Sequence, residues 1–261
     1  MILIIRYLKE RFNLCLFIPL GFLLTIGSET SIQYPINKFD IFIRLAFALQ
    51  MLLWLRLWDD LSSIDKDRKT SPNRITVNPD NALILWKWFF ILSLISFLLI
   101  YKLHNIAMVL IIFIFVIFFM LIYFLREKLN QLMFDLLILI KYPIIAFISS
   151  SESTPFRDKI LPLIIIYLIL FIYEIFHDRE HRSNSKYLKA GFVTWLCLLI
   201  SFTSHIILKN ESNQFESIKW GLLFLCMALF FLTIKYERIR NLKVIPFANG
   251  LIYLGFLAIP G

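Results

Sequence analysis

Apolar runs of bilayer-spanning length recur along this chain, and they constrain its fold more than any other feature. They lie at about 12–27, 39–58, 82–101, 105–125, 129–148, 160–176, 187–208, 218–234 and 244–259. A helix rises about 1.5 Å per residue, so roughly 20 apolar residues cross the hydrocarbon core of a membrane. Backbone amides and carbonyls find no partner in lipid, so each run satisfies its own by coiling into a helix. The expectation is an all-α integral membrane protein of about nine transmembrane helices, forming a single domain over residues 1–261.

Composition supports the membrane reading and narrows the partners. Hydrophobic residues make up 59% of the chain and charged residues only 17%, which excludes an ordinary soluble domain. The net charge of +9 raises nucleic acid as a partner, but the cations sit in short loops between apolar runs. That placement suits anionic lipid headgroups and phosphorylated substrates instead. Cys15, Cys197 and Cys226 fall inside apolar runs and read as small buried residues. The basic start followed by a short apolar run resembles a secretory signal, yet no A-x-A-like cleavage site follows, so a retained first helix is expected.

Charge asymmetry sets the orientation. Lys and Arg gather at the N-terminus, where Arg6, Lys9 and Arg11 lie, and in the loops after the second, fourth, sixth and eighth runs. The opposite loops hold Lys38, Lys102, Arg157, Lys159, Lys209 and Lys219. The positive-inside rule then places the N-terminus in the cytoplasm and the C-terminus outside.

Between the second and third runs stands Asp59-Asp60-Leu61-Ser62-Ser63-Ile64-Asp65-Lys66-Asp67-Arg68. Four carboxylates in ten residues repel one another unless a cation sits among them. In a continuous helix, Asp60 and Asp67 share a face, and Asp59 can converge with them. Hard oxygen ligands of this kind suit Mg2+, which keeps several waters and bridges to substrate phosphates. Taken alone, the same residues also read as a solvated acidic loop.

A second polar cluster ends the sixth run, on the same predicted side. Glu174 and Asp178 are four residues apart and share a helix face, as do His177 and His181. Two acidic helix ends at one cytoplasmic mouth can close on a single diphosphate through Mg2+. The segment from His177 to His181 also matches the zinc-protease pattern H-x-x-E-H. Zinc needs a third protein ligand, and His104 and His205 fall near the opposite membrane face, so this match is read as a charge-mixed helix end.

At these residues the chain resembles the UbiA-type intramembrane prenyltransferases. Their first motif, N-D-x-x-D-x-x-x-D, is matched here by Asp60 and Asp67, with Asp59 in place of Asn and Ser63 in place of the middle Asp. Ser71-Pro72-Asn73-Arg74 resembles the basic, proline-containing continuation, and Tyr123, Leu125 and Arg126 resemble the Tyr-x-x-Leu-Lys/Arg that follows the fourth helix. Their second motif, D-x-x-x-D, aligns with Glu174 and Asp178, or with His177 and His181 if Tyr173 matches the family's tyrosine.

The resemblance implies nine helices around a central cavity and a prenyl diphosphate as donor. It implies Mg2+ held by Asp59, Asp60, Asp67, Glu174 and Asp178. Arg68, Arg74 and Arg126 would contact phosphate, with Tyr123 and Tyr173 beside the substrate. It also implies an integral protein of a bacterial inner membrane, with its active site facing the cytoplasm, membrane lipids around it and no nucleic-acid partner. Three activities follow as expectations: transfer of the prenyl group to a lipid-soluble or aromatic acceptor, cyclisation of the prenyl chain itself, and non-catalytic binding or transport on the same fold. Asp60 and Asp67 would carry catalysis. Lys141 joins them because an ionisable group in mid-membrane is costly and marks function, and Pro143 beside it frees backbone carbonyls toward a cavity.

Overall fold

The second apolar run coils into α3 (Lys38–Ser62), which is apolar on nearly all sides from Phe47 to Leu61. A helix of that kind needs neighbours all round. In the computed structural model it has them: Phe47, Met51, Trp54, Leu57, Trp58 and Leu61 are all buried. The structure describes residues 2–12, 14–26, 38–104, 106–150 and 156–177, with positions 189, 193, 196 and 200. Every element among them is a helix or a 3-10 turn.

Before α3 come α1 (Ile2–Arg11) and α2 (Leu14–Ile26). After it come the short α4 (Ile64–Thr70), a 3-10 turn at Ile75–Val77, α5 (Pro79–Leu103) and α6 (Ile106–Phe124). The chain continues through α7 (Gln131–Ile138), α8 (Lys141–Ser149) and α9 (Phe156–His177). Of the run expected at 187–208 only positions 189, 193, 196 and 200 are described, and the runs expected at 218–234 and 244–259 lie outside the described residues, as do Asp178 and His181. Two compact units divide the chain. One takes Met1–Gly21 and Phe42–Phe134, the other Phe22–Ile41 and Asp135–Gly261.

In the first unit α3 is tied to α5 by side-chain hydrogen bonds. Trp54 Nε1 donates to Ser93 Oγ at 2.7 Å, and Gln50 Nε2 donates to Ser96 Oγ at 2.7 Å. Each serine passes its own proton to a carbonyl one turn back, Ser93 to Phe89 and Ser96 to Leu92. Polar links of this sort join helices where the hydrophobic effect cannot, because lipid is as apolar as leucine. Gly21 lets α2 approach α3 closely: a Cβ there would lie 3.0 Å from Leu49 and 3.1 Å from Leu45.

α5 starts sharply for a local reason. Asn78 Oδ1 accepts from the amides of Asp80 and Asn81, and Pro79 occupies the first helical position, where no amide proton is needed. α5 packs on α6, and the outer faces of both are apolar and open. Leu83, Phe90, Leu94 and Leu98 on α5, with Phe113, Ile114, Ile117 and Phe124 on α6, are exposed large hydrophobics. α6 carries no charged residue in 19 positions. Exposed apolar surface this continuous is stable only against lipid, and the protein is an integral membrane protein.

In the second unit the fifth apolar run is not one helix. It breaks between α7 and α8. The Ile140 amide, which in an unbroken helix would bond Leu136, reaches only to the Leu137 carbonyl at 3.3 Å. Leu136 is left with a free carbonyl, and the Tyr167 hydroxyl of α9 donates to it at 2.9 Å. Irregular backbone at membrane depth survives where protein groups re-satisfy it. Tyr167→Phe is therefore expected to lower the thermal unfolding midpoint in detergent, with a cost of about 1 kcal/mol. An unchanged midpoint would mean that this bond is not needed at the break.

Candidate functional site

The acidic stretch does not fold as one helix. α3 ends at Ser62 and α4 begins at Ile64. Ser63 lies at the joint, and its Oγ donates to the Asp59 carbonyl at 2.8 Å and approaches that of Asp60 at 3.3 Å. A serine that bonds back to the previous turn competes with helix continuation, which accounts for the break. The residue standing where the resemblance has its middle aspartate thus serves the backbone.

Asp60 is 2% exposed, and its partners differ from those expected of a metal ligand. Arg11 of α1 grips it in a fork, Nε to Oδ2 at 2.9 Å and a terminal nitrogen to Oδ1 at 2.5 Å. The Tyr7 hydroxyl donates to Oδ2 at 2.9 Å. Arg56, one turn earlier in α3, brings a guanidinium nitrogen to 3.5 Å from Oδ1. A carboxylate offers about four acceptor directions, and here four donor atoms from three side chains approach them. Burial, followed by the neighbouring Asp60 charge, pushes the Tyr7 hydroxyl above its ordinary range, so it stays protonated and donates.

Asp67 is different. It is 4% exposed and paired with Arg74 through Oδ1. Its second oxygen, Oδ2, is buried with no hydrogen-bond partner. An unsatisfied buried carboxylate oxygen is costly, and a cation is the natural remedy. Asp59 accepts from the Tyr123 hydroxyl. Tyr123 in turn stacks on Trp58 at 5.9 Å between ring centroids, inside an aromatic group that includes Trp54, Phe89 and Phe119.

The other expected residues fall out as follows. Arg68 pairs with Asp65 at 3.3 Å in an exposed contact. The Arg126 guanidinium stands 5.0 Å above the Phe134 ring. In the second unit Lys141 is buried at the start of α8, its ammonium 5.5 Å from the Tyr142 ring centroid. Tyr173 is buried in α9 and Glu174 is half-buried beside it. Asp60 pairs with Arg11 and Asp67 pairs with Arg74, and Glu10, next to Arg11, meets the amide of Ile75, next to Arg74.

Sequence reasoning missed Tyr7 and Arg56 and took Arg11 only for its charge. The signals were present. Tyr7 and Arg11 are spaced by four, so they share a face of α1, and Arg56 precedes Asp60 by four on α3.

The fit of Mg2+ can be judged from these contacts. Among the described residues no three His, Cys, Asp or Glu side chains gather as a metal site. The oxygens of Asp60 are already engaged, whereas Asp67 Oδ2 fits a cation well. Mg2+ takes one or two carboxylates and completes its shell with water and substrate phosphate, so a single protein oxygen of this kind is enough to seat it.

The helical fold is similar to that of solved structures. The fold is that of the UbiA-type intramembrane proteins. At a TM-score of 0.61 the chain is similar to the apo structure of a UbiA homologue from Aeropyrum pernix K1, with 16% identity, covering 93% of this chain and 96% of that one. A structure of digeranylgeranylglyceryl phosphate synthase is similar at a TM-score of 0.61 and 15% identity, covering 98% of this chain and 99% of the other. No family model matches the sequence, and no curated protein does.

Proposed function

We propose that the protein is a Mg2+-dependent intramembrane prenyltransferase. It moves a prenyl group from a prenyl diphosphate to a lipid-soluble or aromatic acceptor. The observation that carries this reading is the match of the fold, over nearly the whole chain, to two UbiA-type structures, one of them a synthase of a digeranylgeranylglyceryl lipid. The buried, unpartnered oxygen of Asp67 supports it.

In this reading the allylic C–O bond of the donor breaks, its electron pair leaves with pyrophosphate, and the acceptor forms the new C–C or C–O bond and loses a proton. Asp67 would hold Mg2+ through Oδ2, with Asp59, Glu174 and Asp178 as further carboxylates. When bound, the metal neutralises charge gathering on the departing pyrophosphate. Arg74, Arg68 and Arg126 supply guanidiniums, which bond phosphate oxygens in pairs. Lys141 is a buried ammonium suited to the same charge or to the acceptor. The rings of Trp58 and Tyr123 beside Asp59 exclude water and offer π-faces to an allylic cation. The chain would work as one transmembrane domain in a bacterial inner membrane, with the N-terminus and active site toward the cytoplasm and the C-terminus outside.

The test is turnover. Purified protein with Mg2+, prenyl diphosphates of graded length and a quinone- or glycerolipid-type acceptor pool is expected to release pyrophosphate and yield a prenylated lipid. Pyrophosphate with a hydrocarbon or alcohol as product would instead make it a cyclase. No pyrophosphate with any donor would leave a binding or transport protein.

A further inference from the structure

We infer that Asp60 is a positioning residue and not a metal ligand: it fixes Arg11, and with it α1, at the end of α3. Three observations converge on this. Tyr7 and Arg11 lie on one face of α1 and both end on Asp60, and Arg56 approaches the same carboxylate. An inner-shell Mg2+ sits about 2.0–2.1 Å from each oxygen and demands near-octahedral geometry. It would have to displace the Arg11 fork and would then sit against two like charges. Removing one partner from a buried, hydrogen-bonded ion pair is costly, so the fork resists displacement.

The second observation is that α1 is held at other points in a consistent pose. The Ile75 amide, in the 3-10 turn after α4, donates to Glu10 Oε1 at 3.4 Å. Phe12, directly after α1, stacks on Phe17 of α2 with ring centroids 4.0 Å apart. The helix thus touches α2, α3 and the turn that carries Arg74's neighbour, and Asp60 is the charged anchor among these contacts.

The third is what the anchoring achieves. Arg11 uses two donors of its five on Asp60, and its neighbour Glu10 meets Ile75, which follows the Arg74 that pairs with Asp67. Asp60 therefore holds a guanidinium on the helix that meets the turn following Arg74, the partner of Asp67. An anionic phosphorylated ligand at Asp67 would meet Arg11 there. This last step rests on the proposed function; the anchoring itself does not.

Hydrogen exchange of the α1 amides in the full-length detergent-solubilised protein separates the two roles for Asp60. Arg11→Gln and Asp60→Asn are each expected to speed exchange over α1 by about tenfold or more, and the double variant is expected to exceed neither by more than about twofold. Tyr7→Phe, which keeps the ring and removes one bond, is expected to speed it by a smaller factor. In turnover assays both single variants should raise the donor KM by about tenfold while the Mg2+ concentration for half-maximal rate stays within about twofold of wild type. Unchanged α1 exchange in both single variants, or additive effects in the double, would overturn the anchoring. A rise of about tenfold in half-saturating Mg2+ for Asp60→Asn alone would restore it as a metal ligand. If the wild type turns over no donor, the proposed function fails, and the exchange measurements still decide the role of Asp60.

Discussion

Asp67→Asn is expected to cut pyrophosphate release by about a hundredfold to a thousandfold, with the thermal unfolding midpoint little changed. The asymmetry between rate and stability comes from what each oxygen does. Oδ1 meets Arg74, and an amide oxygen in the same place still accepts from a guanidinium. Oδ2 has no protein partner, so the fold does not depend on its charge. The proposed reaction would, because charge builds on a departing pyrophosphate and Asp67 would hold the metal that neutralises it. A non-catalytic binder on this fold would show no such loss, and its cellular function would survive the substitution.

The second large effect is on stability. Arg74→Ala removes the ion-pair partner of Asp67, a carboxylate that is 4% exposed in the wild type and whose other oxygen has no hydrogen bond. Stranding a buried carboxylate costs about 3–5 kcal/mol when its ionic partner is removed. The expected result is a protein that unfolds at much lower temperature in detergent. Mg2+ at high concentration should recover part of the loss, since a cation that binds the folded state alone stabilises it by mass action. Arg74→Lys should fall between, because an ammonium keeps the charge and loses the planar fork. An Arg74→Ala protein as stable as wild type would mean that Asp67 is solvated or protonated.

The helices legible in the sequence were those long enough to be seen as apolar runs. The runs at 39–58, 82–101 and 105–125 became α3, α5 and α6, because hydropathy reports lipid burial directly. α1 and α4 were not legible, since ten and seven residues of mixed polarity show no apolar stretch; their distant contacts run through Asp60 and Asp67. The break between α7 and α8 was half visible. Pro143 marked freed carbonyls, but the Tyr167 hydroxyl that satisfies Leu136 is 31 residues away, and no local pattern points to it.

At the site the carboxylates stand out in the sequence by type and spacing, and the partners that surround each of them do not. Asp60 and Asp67 look alike in sequence. One meets two guanidiniums and a phenol and the other keeps a buried oxygen without a hydrogen-bond partner, a difference to which Arg11 contributes across 49 residues. Reading Asp59, Asp60 and Asp67 on one continuous helix overlooked Ser63, whose hydroxyl turns back onto α3 and restarts the chain as α4. Ser63 is also where the chain departs from the motif it resembles, while its fold is similar to the two solved structures.

The central claim is that Asp67 seats a metal which grips a phosphorylated isoprenoid. Affinity for a non-hydrolysable prenyl thiodiphosphate, followed by quenching of tryptophan fluorescence, measures this without turnover. Wild type should bind the analogue at least about tenfold more tightly in Mg2+ than in a chelator, and Asp67→Asn should bind it equally in both. Equal affinity in the wild type with and without Mg2+, or an undiminished Mg2+ effect in Asp67→Asn, would contradict the claim.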